Sequence, residues 1–212
     1  MAHYRIERRL LKGGAVRIAG VDEVGRGPLA GPVAAAAVVL DPRDLPRGVD
    51  DSKALDAVAR EECYERVMRK ALAIGIGFAS PREIDCINIR QATLLAMRRA
   101  LAALAASPDH VLVDGNDGPA WEHARVETLI KGDAISLSIA AASVVAKVTR
   151  DRLMVRLDRH HPVYGFARHK GYATAEHRAA LSRHGPSPAH RMSFAPCRPG
   201  LLPDDVEVNE AS

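Results

Sequence analysis

The segment IAGVDEVGRGPLAGPVAAAAVVL, residues 18–40, decides the fold of this chain. Its β-branched and apolar ends predict two strands, residues 16–21 and residues 33–40, with Pro28 and Pro32 breaking the chain between them. The apolar run of residues 33–40 is eight residues long, far short of the roughly 20 that a membrane-spanning helix needs. We therefore expect this run to be a buried strand.

Outward from this segment, predicted strands and helices alternate along the chain. Ser80-Pro81-Arg82-Glu83 has the pattern of a helix start, with serine as N-cap, proline at the first helical position and glutamate at the third. We predict further strands at residues 74–79, 111–114 and 126–130, and helices at residues 52–73, 80–106, 136–160 and 174–183. The alternation predicts an α/β fold of five strands. Residues 1–198 would form one domain, and the acidic residues 199–212 a loose tail.

Composition and cysteine content are those of a soluble protein in a reducing compartment. The 212 residues are 47% hydrophobic and 26% charged, an ordinary globular mixture. The three cysteines, Cys63, Cys86 and Cys197, show no C-x-x-C spacing, which argues against a disulfide framework or a zinc site. The first 17 residues carry several charges and no apolar core, unlike a secretory signal. We expect a cytoplasmic protein with no membrane segment.

Positive charge is concentrated in the last third of the chain. The formal net charge is only +4, but residues 147–198 contain 11 lysines and arginines against 3 acidic residues, together with six of the nine histidines. This uneven distribution of charge favours a basic surface that faces a polyanion. A solvated helical surface is the alternative.

Four carboxylates end or follow predicted strands: Asp22, Glu23, Asp114 and Asp133. Acidic groups at the ends of apolar strands are costly unless they are hydrogen-bonded or bind a cation. Each alone could cap a turn, but together they favour an all-oxygen site for Mg²⁺ or Mn²⁺, and two such ions can clamp a phosphodiester. Because neighbours on a strand point to opposite faces, Asp22 and Glu23 can share a site only if the strand ends, bends or bulges there.

Several residues near these carboxylates could contact a nucleic acid. Gly25, Arg26 and Gly27 would let the backbone approach a ligand closely and place a guanidinium beside phosphate, although a tight turn is the alternative. Ser143 and Lys147, four residues apart, lie near one helical face together with Arg150, although a solvated face is the commoner explanation for such residues.

The segment from Tyr164 to Tyr172 is an aromatic and basic loop that could touch a sugar or a base. The chain is only 4% aromatic, too little for the extended stacking platform of a single-strand binder. An aromatic residue in this loop therefore makes one specific contact or simply packs.

In the order and spacing of its motifs, the sequence resembles the type 2 ribonuclease H family, ribonuclease HII, over residues 18–198. The blocks that carry the resemblance are IAGVDEVGRGPLAGP (18–32), DSKAL (51–55), VDG (113–115), KGD (131–133), SIAAASVVAKVTRD (138–151), YGF (164–166), HKGY (169–172) and HRMSF (190–194). The resemblance implies a ribonuclease H-like fold. Such a fold has a central mixed five-stranded sheet flanked by helices, and a C-terminal helical extension.

The resemblance also implies an endonuclease that cuts RNA in RNA–DNA hybrids and at single ribonucleotides embedded in duplex DNA. Cleavage would fall on the 5′ side of the ribonucleotide and leave 3′-hydroxyl and 5′-phosphate ends, in ribonucleotide excision and RNA primer removal. The family's catalytic metal ligands, which bind Mn²⁺ or Mg²⁺, match Asp22, Glu23, Asp114 and Asp133.

The family's substrate contacts map onto this sequence as well. Its glycine-arginine-glycine element, whose backbone reads the 2′-hydroxyl, matches Gly25, Arg26 and Gly27, and its junction tyrosine matches Tyr172. Phosphate contacts would fall on Lys53, Ser143 and Lys147. No terminal sliding-clamp peptide of the Gln-x-x-aliphatic-x-x-aromatic-aromatic kind is visible, and nothing demands an oligomer. We expect a monomer whose partner is the nucleic acid.

Two other functions remain open at this point. Another carboxylate-metal nuclease of the same fold, such as a junction resolvase, would not need a 2′-hydroxyl in its substrate. A non-catalytic protein that binds hybrids or duplexes would bind without metal, although four unneutralised carboxylates would repel phosphate.

Overall fold

A mixed five-stranded sheet forms the centre of the fold, in a computed structural model that describes residues 2–49 and 55–198. The strands are β1 (Ile18–Val24), β2 (Val33–Leu40), β3 (Ala71–Ala79), β4 (His110–Asp114) and β5 (Arg125–Leu129). They lie in the order β3-β2-β1-β4-β5. β1 pairs antiparallel with β2 and parallel with β4, so the mixed sheet that the resemblance implied is confirmed.

Helices cover both faces of the sheet and extend beyond it. They are α1 (Arg5–Lys12), α2 (Ala57–Lys70), α3 (Pro81–Ala102), α4 (Gly132–Ile135), α5 (Leu137–His160), α6 (Phe166–His169) and α7 (Ala175–His184), with 3₁₀ turns at Pro162–Tyr164 and Ala195–Cys197. α3 packs on one face, and α2 and α5 pack on the other. α6, α7 and the turns form the C-terminal extension. Within the described ranges, no helix combines the length and the apolar character needed to cross a membrane.

Side chains along β1 alternate between the two faces of the sheet. Ala19 and Val21 lie in the core beneath α3. Gly20 lies against α5, so closely that a Cβ there would stand 2.1 Å from the carbonyl carbon of Ser138. The alternation therefore sends the side chain of Asp22 toward α5 and that of Glu23 toward α3.

Several predicted element boundaries were wrong, because pairing in the sheet overrides the local pattern. β1 runs to Val24 instead of residue 21, since the register with β2 continues until Val24 faces Ala34. The helix predicted for residues 52–73 ends at Lys70, because Ala71 already pairs with Leu40 of β2. The first residues of that predicted helix, 52–54, lie outside the described residues.

Helix α3 starts at its predicted capping box but is interrupted inside. Ser80 and Glu83 make both hydrogen bonds of the box. Asn88 has φ 63° and ψ 165°, outside the helical region, and its side chain accepts a hydrogen bond from the amide of Gln91. The interruption divides the element into two helical stretches, and the second ends at Ala102 instead of residue 106.

Helix α1 was not predicted, and a tertiary contact holds it in place. Its buried Glu7 accepts hydrogen bonds from the Ser136 hydroxyl at 2.6 Å and from the Ser138 amide at 2.9 Å. Ser136 is the N-cap of α5. The carboxylate of Glu7 therefore binds the start of the helix that covers β1.

Candidate active site

Asp22, Asp114 and Asp133 converge at one edge of the sheet, with one carboxylate oxygen from each lying within 4.8 Å of the others. Asp22 is near the end of β1, Asp114 ends the parallel strand β4, and Asp133 belongs to α4. Parallel strands bring their carboxyl ends to the same edge of a sheet. The amide of Asp133 also donates to Asp114 Oδ1 at 3.4 Å. An all-oxygen donor set of this kind fits Mg²⁺ or Mn²⁺.

Burial and mutual repulsion make this cluster unfavourable to ionise by itself. Asp22 is only 5% exposed, and burial raises its pKa well above the ordinary value, with further increases from the charges of Glu23 and Asp114. Hydrogen bonds from the Ser143 side chain and from the Glu23 amide, the latter at 2.7 Å, oppose this increase. Divalent cations would offset the repulsion, so these side chains fit a metal centre.

Glu23 lies beside the three aspartates, outside their group. The register between β1 and β2 continues without a break to Val24, so the bend that would turn Glu23 toward Asp22 does not occur. Its carboxylate pairs with Arg26 at 3.5 Å. The pKa of Glu23 is raised overall, mainly by burial. The charge of Arg26 opposes this increase, and that of Asp114 adds to it. Asp114 thus acts electrostatically on both Asp22 and Glu23, and Glu23 and Asp114 line the same small cavity.

Two buried arginines hold the loop that follows β1. Arg150 donates to the carbonyls of Ala30, Pro32 and Lys170. Arg191 donates to the carbonyls of Gly25, Arg26 and Gly31. Both side chains are inaccessible to solvent. The charge of Arg150 is therefore compensated by carbonyl dipoles in the interior, and because Ser143 is buried as well, a solvated face does not explain these two residues of α5.

Gly25 must be glycine for two reasons. Its φ is +92°, which disfavours a side chain, and a Cβ there would stand 2.1 Å from Arg150 Nε. Gly27 faces outward, where a Cβ would meet only Tyr172 Cε1 at 3.9 Å. Tyr172 is 44% exposed. The Gly-Arg-Gly loop (residues 25–27) and the tyrosine thus form one continuous surface beside the carboxylates.

A chain of histidines supports the backbone of Tyr172. His177 Nδ1 lies 2.9 Å from the Tyr172 carbonyl oxygen, and His177 Nε2 lies 3.0 Å from His190 Nε2. The Ser187 amide donates to His190 Nδ1 at 3.0 Å. His190 Nε2–H must then donate to His177 Nε2, and His177 Nδ1–H must donate to the carbonyl, with both rings neutral. Burial lowers the pKa of His177 and lowers that of His190 to about 4.

The three residues matched to phosphate contacts differ in their environment. Ser143 is buried and hydrogen-bonded to Asp22, and Lys147 Nζ pairs with Asp151 Oδ1 at 2.9 Å. Lys53 lies outside the described residues.

A groove of about 400 Å³ continues from this region between α2 and α5. Its basic lining residues are Arg60, Arg152, Arg156, Arg159 and Lys170.

No role could be assigned to Arg191, His177 or His190 from the sequence alone. Arg191 and His190 belong to the block HRMSF, but that block did not indicate what they contact. The available signal was the concentration of histidines in the basic stretch, which is typical of a buried imidazole network as well as of a basic surface.

Comparison with known proteins agrees with this geometry. A family model described as Ribonuclease HII matches residues 19–197. Ribonuclease HII of Brucella ovis is 54% identical over 193 residues, which are 91% of this chain and 88% of that protein, and ribonuclease HII of Brucella anthropi matches to the same extent.

Solved structures show the same fold. Ribonuclease H2 from Pyrococcus horikoshii has a TM-score of 0.75 and 28% identity, over 86% of this chain and 96% of its own. Ribonuclease HII from Archaeoglobus fulgidus, solved in complex with PCNA, has a TM-score of 0.70 and 26% identity, over 84% of this chain and 95% of its own. The chain therefore belongs to the ribonuclease HII family, metal-dependent endoribonucleases that act on RNA–DNA hybrids.

Proposed function

We propose that this protein cuts RNA–DNA hybrids and also cuts duplex DNA on the 5′ side of a single embedded ribonucleotide. The products would carry 3′-hydroxyl and 5′-phosphate ends, as ribonucleotide excision and RNA primer removal require. The supporting observation is the contiguity of the site: the aspartates within 4.8 Å of one another, the Gly-Arg-Gly loop and the half-exposed Tyr172 adjoin each other.

The carboxylates would form two overlapping ligand sets. Asp22, Asp114 and Asp133 would hold one divalent cation, Mn²⁺ or Mg²⁺, and Glu23 together with Asp114 would hold a second. When bound, such a pair activates water and stabilises the charge of the leaving oxygen. Ser143 keeps the Asp22 carboxylate oriented through its hydrogen bond. Hydrolysis joins the water oxygen to phosphorus, breaks the bond to the 3′-oxygen and leaves a proton on that oxygen.

Recognition of the ribonucleotide would come from the neighbouring loop and tyrosine. The 2′-hydroxyl is the group that distinguishes RNA from DNA, and it both donates and accepts hydrogen bonds. The backbone of Gly25, Arg26 and Gly27 would contact this hydroxyl. Tyr172 would pack on the adjacent deoxyribose, where a second 2′-hydroxyl would crowd its ring.

The duplex would lie along the basic side of α5. Lys147 and Lys53 would contact phosphates near the cut. The arginines of the groove between α2 and α5 would contact the backbone farther away. Phosphate contacts release counterions, so substrate binding should weaken steeply with salt. We also propose that the protein acts as a monomer in the cytoplasm.

The test is cleavage of three labelled substrates: a DNA duplex with one ribonucleotide, the same duplex without it, and an RNA–DNA hybrid. Each is incubated with Mg²⁺, Mn²⁺ or EDTA. We expect metal-dependent cutting of the hybrid and of the first duplex, immediately 5′ of the ribonucleotide, and no cutting of all-DNA. Equal cutting of both duplexes would indicate a nuclease of the resolvase kind. Binding without cutting would indicate a non-catalytic protein.

A further inference from the structure

We propose that Arg191 is a positioning residue for ribonucleotide recognition, because it orients the amides of Arg26 and Gly27 toward the substrate. This inference rests on the proposed function and adds a residue to it. Arg191 would touch neither the nucleic acid nor the metal. It would act from inside the protein, through the peptide groups of the Gly-Arg-Gly loop.

The side-chain hydrogen bonds of Arg191 go to this loop and its continuation, and its guanidinium also lies over the Phe194 ring, with Cζ 5.1 Å from the ring centroid. It donates to the carbonyl oxygen of Gly25 at 2.5 Å, to that of Arg26 at 2.8 Å, and to that of Gly31 at 2.9 and 3.0 Å. Among the described residues, no carboxylate lies within ion-pair distance of it. A buried cation that donates its hydrogen bonds to carbonyl groups fixes the direction of each of those groups.

The direction of the carbonyls determines the direction of the amides. In a trans peptide, the C=O of one residue and the N–H of the next point in opposite directions, and the described residues contain no cis bond. The Gly25 and Arg26 carbonyls both point inward at Arg191. The N–H groups of Arg26 and Gly27 must therefore point outward, and neither finds an acceptor in the described part of the chain.

These two outward amides face the position expected for the sugar. Gly27 adjoins the exposed Tyr172 ring, and Glu23, two residues before Gly25, adjoins the aspartate cluster. Two adjacent N–H donors suit the lone pairs of a 2′-hydroxyl, which a deoxyribose lacks. The positive charge behind each peptide also polarises it and strengthens its N–H as a donor.

Arg191 is itself held firmly, as a positioning residue must be. Its amide donates to the Leu29 carbonyl at 2.9 Å, and the Gly31 amide donates to the Ala189 carbonyl at 2.8 Å. His190 and Ala30 form an antiparallel bridge between these bonds. A lysine at position 191 would carry the same charge but could not span three carbonyls with a planar fork.

Arg99 provides a control. Its guanidinium also donates to a backbone carbonyl, that of Phe78 at 2.7 Å, and it pairs with Glu83, both outside the Gly-Arg-Gly loop. Arg191→Lys and Arg99→Lys should both lower the melting temperature. Only Arg191→Lys should change how strongly the protein prefers a ribonucleotide.

The readout is the ratio of two dissociation constants, for a duplex with one ribonucleotide and for the same duplex in DNA, measured in EDTA. We expect the wild type to prefer the ribonucleotide and Arg191→Lys to lose about tenfold of that preference, with unchanged affinity for DNA. Arg99→Lys should keep the wild-type ratio. Equal affinities of the wild type, or a wild-type ratio in Arg191→Lys, would overturn the proposal.

A measurement on the wild type covers the case in which Arg191→Lys does not fold. In ¹H–¹⁵N spectra, the amide protons of Arg26 and Gly27 should move downfield with the ribonucleotide duplex and not with the DNA duplex. Identical spectra with both duplexes would overturn the inference. If the enzyme cuts at ribonucleotides but these tests fail, only the role of Arg191 is lost. If it does not cut there, the proposed function itself fails.

Discussion

His190 should make the stability of this protein fall on mild acidification. In the fold its Nδ1 accepts from the Ser187 amide and its Nε2–H donates to His177, so a second proton on either ring must break a hydrogen bond. Burial and the neighbouring His177 lower the pKa of His190 to about 4. The titratable and aromatic groups that face it are His161, His169, His177, Tyr164 and Phe166.

The sign and the size follow from proton linkage. An unfolded histidine has a pKa of about 6.5, so between pH 6.5 and 4 the unfolded chain binds more protons at this position than the folded chain. Stability contributed by His190 is therefore complete above pH 6.5 and is lost progressively as the pH falls toward 4. Lowering the pH from 7.5 to 5 should remove about 2 kcal/mol.

The assay is urea unfolding in EDTA across this pH range, for the wild type and His190→Asn. Asparagine can still accept a hydrogen bond from the Ser187 amide but does not titrate. The variant should therefore be less stable than the wild type at neutral pH, and its free energy of unfolding should fall less on acidification. The difference in unfolding free energy between the two proteins should shrink by about 2 kcal/mol from pH 7.5 to 5. His184→Asn, a change at an exposed histidine of α7, should follow the wild type. A His190→Asn curve parallel to the wild type would refute the neutral histidine pair.

Three further substitutions test contacts around the site. Gly20→Ala should cost about 2 kcal/mol or more in urea unfolding, because its Cβ would stand within 2.4 Å of the α5 backbone; unchanged stability would contradict that close approach. Glu7→Ala should cost about 2 kcal/mol, since the Ser136 hydroxyl and the Ser138 amide lose a buried acceptor, and a neutral effect would show that α1 does not anchor α5. Tyr172→Ala should slow cutting at isolated ribonucleotides while Mn²⁺ binding, measured by calorimetry, is retained; an unchanged rate would remove its junction role.

The parts of the fold that could be predicted are those with a local signal. β2 is a continuous apolar run, and Ser80 with Glu83 marks a helix start, so both elements begin where expected. Asp114 could be predicted as a candidate metal ligand because it ends an apolar strand, and its carboxylate does lie close to those of Asp22 and Asp133. Helix α1 had no comparable signal, since Glu7 acquires its role from Ser136, 129 residues away.

The same reason explains what was missed in the site. In the sequence, Arg191 cannot be distinguished from the other positive charges of the basic stretch. Its hydrogen bond to the Gly31 carbonyl joins residues that are 160 positions apart. Asp22 and Glu23 could share one face only if β1 ended, bent or bulged between them, and nothing local showed that β2 would keep β1 regular through Val24. Whether a side chain is buried, and which way it points, depends on the strands and helices packed beside it. That information is distributed over the whole chain.

The most direct test of the central claim, that strand-end carboxylates bind the metal ions that cut the ribonucleotide strand, compares Asp114→Asn with Asp109→Asn. Asp109 lies just before the other end of β4 and accepts hydrogen bonds from the Val16 and Arg17 amides, which an asparagine oxygen can also accept. Both variants should keep the wild-type melting temperature in EDTA to within a few degrees. Asp114→Asn should lose Mn²⁺-dependent cleavage of the single-ribonucleotide duplex, and Asp109→Asn should retain it. Near-normal cleavage by Asp114→Asn would contradict the assignment of the metal centre.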